Sequence, residues 1–272
     1  MLPHVARSLL AFLLLASTHA LGQAPQPVFL EELTSSEVRD QVRAGRRTII
    51  VPIGGTEQSG PHIVLGKHNV RVKVLAEKIA MALADALVAP VMSYAPEGGV
   101  NPPTSHMRFA GTITIPDQAF QQMLEYTARS LKQHGFRDIV FLGDHGGYQK
   151  DVQAVAARLN REWASTTVRV HPLPEYYRAA AEWYPGELRK RGYRDDEIGT
   201  HAGLADTSLA LAADPRLVRG ELVRSTPSLA SDRARDGVAG DPRRATTELG
   251  QAGVDAIVTL SVEAIKRAIA TR

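Results

Sequence analysis

Three polar groups in this chain combine residue types that bind metal ions and move protons. Glu57, His62 and His68 follow the apolar run at residues 48–55, within VPIGGTEQSGPHIVLGKH. Asp144 and His145 follow residues 139–142 in GDHGGY, and His201 stands with Asp206 in THAGLADTSLAL. His106, in the proline-rich PPTSHMRFAGT, is a fourth candidate. Imidazole and carboxylate together form a borderline-hard donor set suited to divalent cations. An ion held this way polarises a carbonyl and lowers the pKa of bound water to about 7, enough for hydrolysis at neutral pH. A lone histidine at a strand end is more often a hydrogen-bonded structural residue. Three groups, each after a strand-like run or at a helix start, point instead to one shared site.

The chain has no cysteine, so thiolate ligands, thiolate nucleophiles and disulfide scaffolds are excluded. Any metal must be held by His, Asp and Glu, which favours zinc, manganese or iron. The glycines of GGTEQSG match neither a dinucleotide fingerprint nor a phosphate loop. No G-x-S-x-G elbow is present, so Ser59 and Ser208 lack the setting of a serine-hydrolase nucleophile. The glycines are read as sites of close backbone approach.

The elements that must position these groups alternate. TIIVPIGG reads as a buried parallel strand. Val72, Leu75, Ile79 and Leu83 recur at helical spacing. LVAPVMSY is a strand weakened by Pro90. A helix follows with Asp117 as N-cap, an inner stripe of Phe120, Met123, Leu124, Thr127 and Leu131, and a stop at Gly135. DIVFLGDHGG is a strand and turn, and Val152, Val155, Leu159 and Trp163 mark the next helix. TTVRVH is a further strand, residues 254–270 a long helix, and SDRARDGVAGDPRRATTELG a polar loop. Strand–helix alternation predicts a three-layer α/β/α fold with a mostly parallel central sheet. Ligands in such folds bind beyond the carboxyl ends of the strands, where these polar groups fall. Tyr176, Tyr177, Trp183, Tyr184 and Tyr193 either wall the substrate pocket or pack on the core or a neighbouring subunit.

At 272 residues, with 44% hydrophobic and 22% charged residues, the composition is that of an ordinary globular protein. The formal charge of +3 is spread through helices without interleaved aromatics, which argues against nucleic-acid binding. Residues 1–24 carry Arg7, a short apolar core and small residues at the end, the pattern of a signal peptide too short to span a bilayer permanently. The expectation is an exported chain, periplasmic or secreted, with residues 25–272 as one catalytic domain, no stable membrane insertion and a cleavage point between Ala20 and Ala24.

Five segments, in order, resemble the creatininase (creatinine amidohydrolase) family. PIGGTEQSGPHIVLGKH is similar to P-x-G-x-x-E-Q-H-G-P-H-L-P with an aspartate beyond it. HMRFAGT is similar to H-x-x-F-P-G-T, GDHGGY to N-G-H-G-G-N, HAGLADTS to H-A-G-x-x-E-T-S, and GVAGDPRRAT to G-V-x-G-D-P-x-x-A-T. The resemblance implies a homo-oligomer, often a hexamer, and a two-metal centre that cleaves small amides with activated water. Carried over by position, Glu57 and His145 are metal ligands and His201 a proton donor. Asp206 is an acidic group near the metals, one carbon shorter than the family's glutamate, and His62 lies behind the ligands. Asp144 and His106 fall among groups supporting the ligands or the substrate.

Two positions depart from the family pattern. Ser59 stands where the family has a ligand histidine, and His68 where it has the bridging aspartate. Serine is a poor ligand for zinc or manganese, and neutral imidazole has one lone pair and cannot bridge. The expected centre is therefore a single divalent ion, zinc or manganese, on Glu57, His68 and His145, with water or Asp206 completing it. His201 would protonate the leaving nitrogen of a small amide, lactam or peptide-like substrate, with Asp206 or Glu57 as base. The alternatives are a lactonase, or a solute-binding protein without catalysis in which Glu57 and His68 merely pair.

Overall fold

The computed structural model describes residues 27–225 and 236–271. The expected leader, residues 1–24, lies outside the described residues, as does part of the polar stretch after Ser225.

Four parallel strands form one sheet, in the order β2 (Ala86–Val88), β1 (Thr48–Ile53), β3 (Asp138–Gly143), β4 (Arg169–Pro172). Alternation along the strands builds two cores, because successive side chains point to opposite faces. Ile50, Val140 and Leu142 face one way and pack on α2 (Lys67–Leu83) through Val72, Leu75 and Ile79. Leu204 and Leu209, and Val254 and Ile257 of the last helix (Thr247–Ala270), complete that core. Ile49, Val51, Ile53, Ile139 and Phe141 face the other way. They meet Phe120 and Leu124 of α3 (Asp117–Gln133) and Val152 and Val155 of α4 (Gln149–Glu162). Each fully buried aliphatic side chain contributes about 1.5–3 kcal/mol, so these stripes dominate the fold. The result is the three-layer arrangement the alternation predicts.

The remaining helices frame the carboxyl end of the sheet. α1 (Ser35–Arg43) precedes β1 and opens with a capping box between Thr34 and Glu37. After β4, α5 (Pro174–Arg178) runs through a π-helical turn (Ala179–Trp183) into α6 (Tyr184–Lys190). α7 (Asp195–Ile198), α8 (Leu204–Ala213) and α9 (Gly220–Ser225) follow. The chain leaves β1 toward β2 across one face and crosses to β3 over the other, so the strand order reverses between β1 and β3. That switch point is where a ligand crevice opens.

Several boundaries differ from the sequence expectation. α2 begins at Lys67, before its first apolar stripe residue. β2 stops at Val88, ahead of Pro90. Pro116 is the N-cap of α3 with Asp117 in the first turn, and the buried stripe takes Ala128 while Met123 is 38% exposed. The last helix starts at Thr247, where the Thr246 side chain accepts from the Leu249 N–H. Gly250 and Gly253 argue against a helix locally, yet a Cβ at Gly250 would lie 1.8 Å from the Ser208 carbonyl. Close helix packing requires that glycine. Among the described residues no helix is long and apolar enough to cross a membrane.

Candidate metal centre

Glu57 enters the crevice four residues beyond β1, on a turn held by Asn69. The Gly55 N–H donates to Asn69 Oδ1 at 3.0 Å, and a Cβ at Gly54 would collide with that same oxygen. Tyr148 ties this turn to the end of β3. Its hydroxyl accepts from the Asp144 and His145 N–H groups, each at 3.0 Å, and lies 2.8 Å from the carbonyls of Ile53 and Gly54. Glu57 and His145 therefore sit on two strand ends braced against each other.

A third loop reaches the same point. Glu97 and His106 belong to one tight segment in which the His106 N–H donates to the Glu97 carbonyl at 3.2 Å. Gly98 has φ +133°, and a Cβ there would lie 2.2 Å from the Thr104 carbonyl oxygen. Only glycine fits that turn.

Glu57, Glu97, His106 and His145 each bring one donor atom into a group within 4.8 Å, and all but half-buried His145 are buried. Glu57 Oε2 is 3.2 Å from His106 Nε2 and 3.4 Å from His145 Nε2, and Glu97 Oε2 is 3.4 Å from His145 Nδ1. Glu57 Oε2 and both Glu97 oxygens are buried without a hydrogen bond. Buried polar groups are almost always satisfied, and an unpaired carboxylate is the costliest exception. Burial, then the neighbouring Glu57 charge, push Glu97 up to about 8. Burial pushes His145 down to about 3, so its ring is neutral and keeps a lone pair. Two carboxylates and two imidazoles with buried, unpaired oxygens fit a divalent cation. Gln58 Nε2, 3.2 Å from His106 Nδ1, holds that ring in place.

This group differs from the expected Glu57, His68, His145 and Asp206. Both nitrogens of His68 face carboxylates, Nε2 at 2.8 Å from Glu57 Oε1 and Nδ1 at 2.5 Å from Asp144 Oδ2. Burial opposes a charge there, as does Lys67, but Glu57 and Asp144 raise its pKa, and both ring nitrogens are already engaged by those carboxylates. Asp206 gives one oxygen to Lys67 Nζ and the Ala202 N–H and the other to Arg71 Nη1 at 2.8 Å. Burial works against its ionisation, yet Lys67 and Arg71 hold it well below the usual carboxylate range, which suits an anchor rather than a base.

Asp144 is likewise committed, to His68, to Arg71 and to the Tyr176 hydroxyl at 2.5 Å. Ser59 Oγ donates to Glu57 Oε1 at 3.4 Å. His62 lies away from the crevice, its Nε2 3.1 Å from Thr207 Oγ1. His106, expected only as a supporting group, joins the cation-competent set. Glu97 and Lys67 escaped sequence reasoning. Glu97 has no strand or helix signal beside it, although the glycine pair and His106 in one short loop were an available clue.

His201 faces the same cavity. Its Nε2–H donates to the Gln58 carbonyl at 3.0 Å, which leaves Nδ1 unprotonated and 3.9 Å from Glu57 Oε1. Burial and the Lys67 charge push it down to about 4, so it is a base at neutral pH. A strap from the stretch read as a polar loop fixes its backbone: the Ala239 N–H donates to the His201 carbonyl at 2.8 Å and the Thr200 N–H to the Ala239 carbonyl at 2.8 Å. Gly199, Gly203 and Gly240 permit this approach, a Cβ at Gly199 falling 2.0 Å from the Ala239 oxygen.

The cavity, about 290 Å³, is lined by charged and imidazole groups together with an apolar set of Tyr177, Ala180, Ala181, Pro185 and Leu209. Of the aromatic group, Tyr177 walls the pocket, Tyr176 and Tyr184 are core, and Trp183 is 42% exposed. Tyr193 stacks under Arg244 at 4.4 Å.

A family model described as creatinine amidohydrolase matches residues 31–265. The mycofactocin precursor peptide peptidase of Mycolicibacterium smegmatis is 30% identical over 237 residues, 80% of this chain and 84% of that protein. A crystal structure of creatinine amidohydrolase superposes with a TM-score of 0.71 at 25% identity, over 90% of this chain and 98% of that one. Another structure, titled creatininase Mn, gives 0.70 at 24% identity, over 90% of this chain and 99% of that one.

Proposed function

The chain belongs to the creatinine amidohydrolase family, and from that premise we propose that it hydrolyses an amide bond of a small lactam or short peptide-like substrate at a single divalent ion, manganese or zinc. Glu57, Glu97, His106 and His145 would hold the ion. One observation carries this reading: a buried oxygen of Glu57 and one of Glu97, neither with a hydrogen bond, face the imidazoles of His106 and His145. The named manganese of a structural relative and the hard oxygen and imidazole donors favour these metals over soft ions.

When bound, such an ion would polarise the amide carbonyl and acidify the attacking water. His201, neutral and oriented through Nε2 by the Gln58 carbonyl, takes a proton at Nδ1 from the attacking water and returns it to the leaving nitrogen. Lys67 and Arg71 keep Asp206 ionised. The apolar part of the lining suits the aliphatic part of a substrate, and the peptidase relative supports a peptide-like amide. Export after loss of residues 1–24 and assembly into a homo-oligomer belong to the same reading. N-terminal sequencing of periplasmic protein and light scattering test those two points.

The activity test is a panel of creatinine, other lactams, short peptides and matched esters, run on metal-loaded and chelated protein. Amide turnover lost on chelation and restored by manganese or zinc is expected. Turnover confined to esters and lactones would make it a lactonase, and tight binding without turnover a solute-binding protein.

A further inference from the structure

We propose that the Lys67 ammonium is the second cation of this centre, a built-in positive charge that occupies the place of a second divalent ion and limits the site to one ion per chain. The proposal rests on the single-ion reading above and goes beyond it by naming the residue that enforces the stoichiometry.

The geometry divides Glu57 between two neighbourhoods. Its Oε2 faces His106 and His145 in the cation-competent group, whereas Oε1 faces Lys67 Nζ at 3.6 Å, His68 Nε2 at 2.8 Å and Ser59 Oγ at 3.4 Å. Glu57 thus bridges as a metal-bridging carboxylate does, with an ammonium on one side. Lys67 is 1% exposed, and a lysine is almost never buried so fully unless paired. Its partners are Glu57 and Asp206, carboxylates of the kind that otherwise collect a divalent ion.

Helix geometry makes the arrangement local. Lys67 is the first residue of α2, and Arg71, four positions on, lies on the same face. Both reach Asp206, while Arg71 also grips Asp144 through Nε at 3.0 Å. Lys67 and Arg71 therefore face Asp144, Asp206 and one oxygen of Glu57. A dication brought there would meet a near-neutral, already satisfied cluster and the repulsion of a fixed ammonium. Lys67 is a positioning residue in this scheme, acting through Glu57 and Asp206 rather than on substrate.

The test is a manganese titration of the purified full-length chain, read as bound ion per chain at equilibrium, with activity left aside. Wild type and Lys67→Arg should bind one ion. Lys67→Ala, which opens the space between Glu57, His68 and Asp206, should bind two. If Lys67→Ala does not fold, Lys67→Met keeps the stem without the charge and should bind its single ion at least about threefold more tightly. Two ions on wild type would overturn both this proposal and the single-ion reading. One ion on wild type and on folded Lys67→Ala, or unchanged affinity in Lys67→Met, would overturn the role of Lys67 alone. No ion on wild type would overturn the metal centre itself.

Discussion

Glu97 Oε2 lies 3.4 Å from His145 Nδ1, and neither oxygen of that buried carboxylate makes a hydrogen bond. Glu57 presents a second buried, unpaired oxygen to the same ring, at 3.4 Å from Nε2. A cation bound between them would satisfy both carboxylates at one point.

The first consequence concerns Glu97→Gln. Replacing an unpaired buried carboxylate by a neutral amide should stabilise the metal-free protein by roughly 1–3 kcal/mol. The same change should weaken ion binding by at least about tenfold, the scale on which even a lost partner behind a ligand is felt. Denaturant melts in chelator and an ion titration read the two effects, which should run in opposite directions.

The pH dependence follows from the same group. Glu97 is pushed up to about 8 by burial and by Glu57, so between its unfolded value and 8 the folded, metal-free chain binds the extra proton. Stability contributed by that proton is present at low pH and lost as pH rises toward 8. The difference in stability between wild type and Glu97→Gln should therefore widen from pH 5 to pH 8. Paired melts across that range check it.

Arg71→Met should act in the opposite sense. Asp144 resists burial only because Arg71 and His68 hold its pKa low, so its contribution is present at neutral pH and lost in acid. Removing the guanidinium takes the shared buried cation from Asp144 and Asp206, leaving them only the side chains of His68, Tyr176 and Lys67, which costs up to about 3–5 kcal/mol. The loss should be largest near pH 7 and shrink as the carboxylates protonate in acid, as chemical denaturation at each pH would show.

His201→Ala should leave ion content unchanged and lower kcat by about 10²–10⁴-fold, the range of a general acid–base group. Gly199→Ala should reach the same residue through the backbone. Its φ is +67° and its Cβ would lie 2.0 Å from the Ala239 oxygen, so the strap on His201 must shift. A stability loss of roughly 2–4 kcal/mol is expected from the clash and the left-handed backbone, together with a fall in kcat. Thermal melts and steady-state kinetics separate the two substitutions.

The frame of the site was legible in the chain. Continuous β-branched runs located β1 and β3, period-3.6 stripes located α2 and α4, and with them came the loops carrying Glu57, Asp144 and His145. The family-like motifs led to His201 and to the departures at Ser59 and His68. What escaped was long-range pairing. Glu97 sits in an irregular proline–glycine loop whose course no periodicity reports, and only its fold beside His106 makes it a ligand candidate. Lys67 reads as an ordinary helix-start lysine until Asp206, 139 residues away, is brought to it. The last helix begins early because Gly250 answers to the Ser208 carbonyl rather than to helix propensity.

The most direct test of the centre is a crystal of the protein grown with manganese and measured at the manganese absorption edge. One anomalous peak per chain, about 2.0–2.3 Å from donors of Glu57, Glu97, His106 and His145, is the expected result. Two peaks, or a single peak between Glu57, His68 and Asp206, would contradict it.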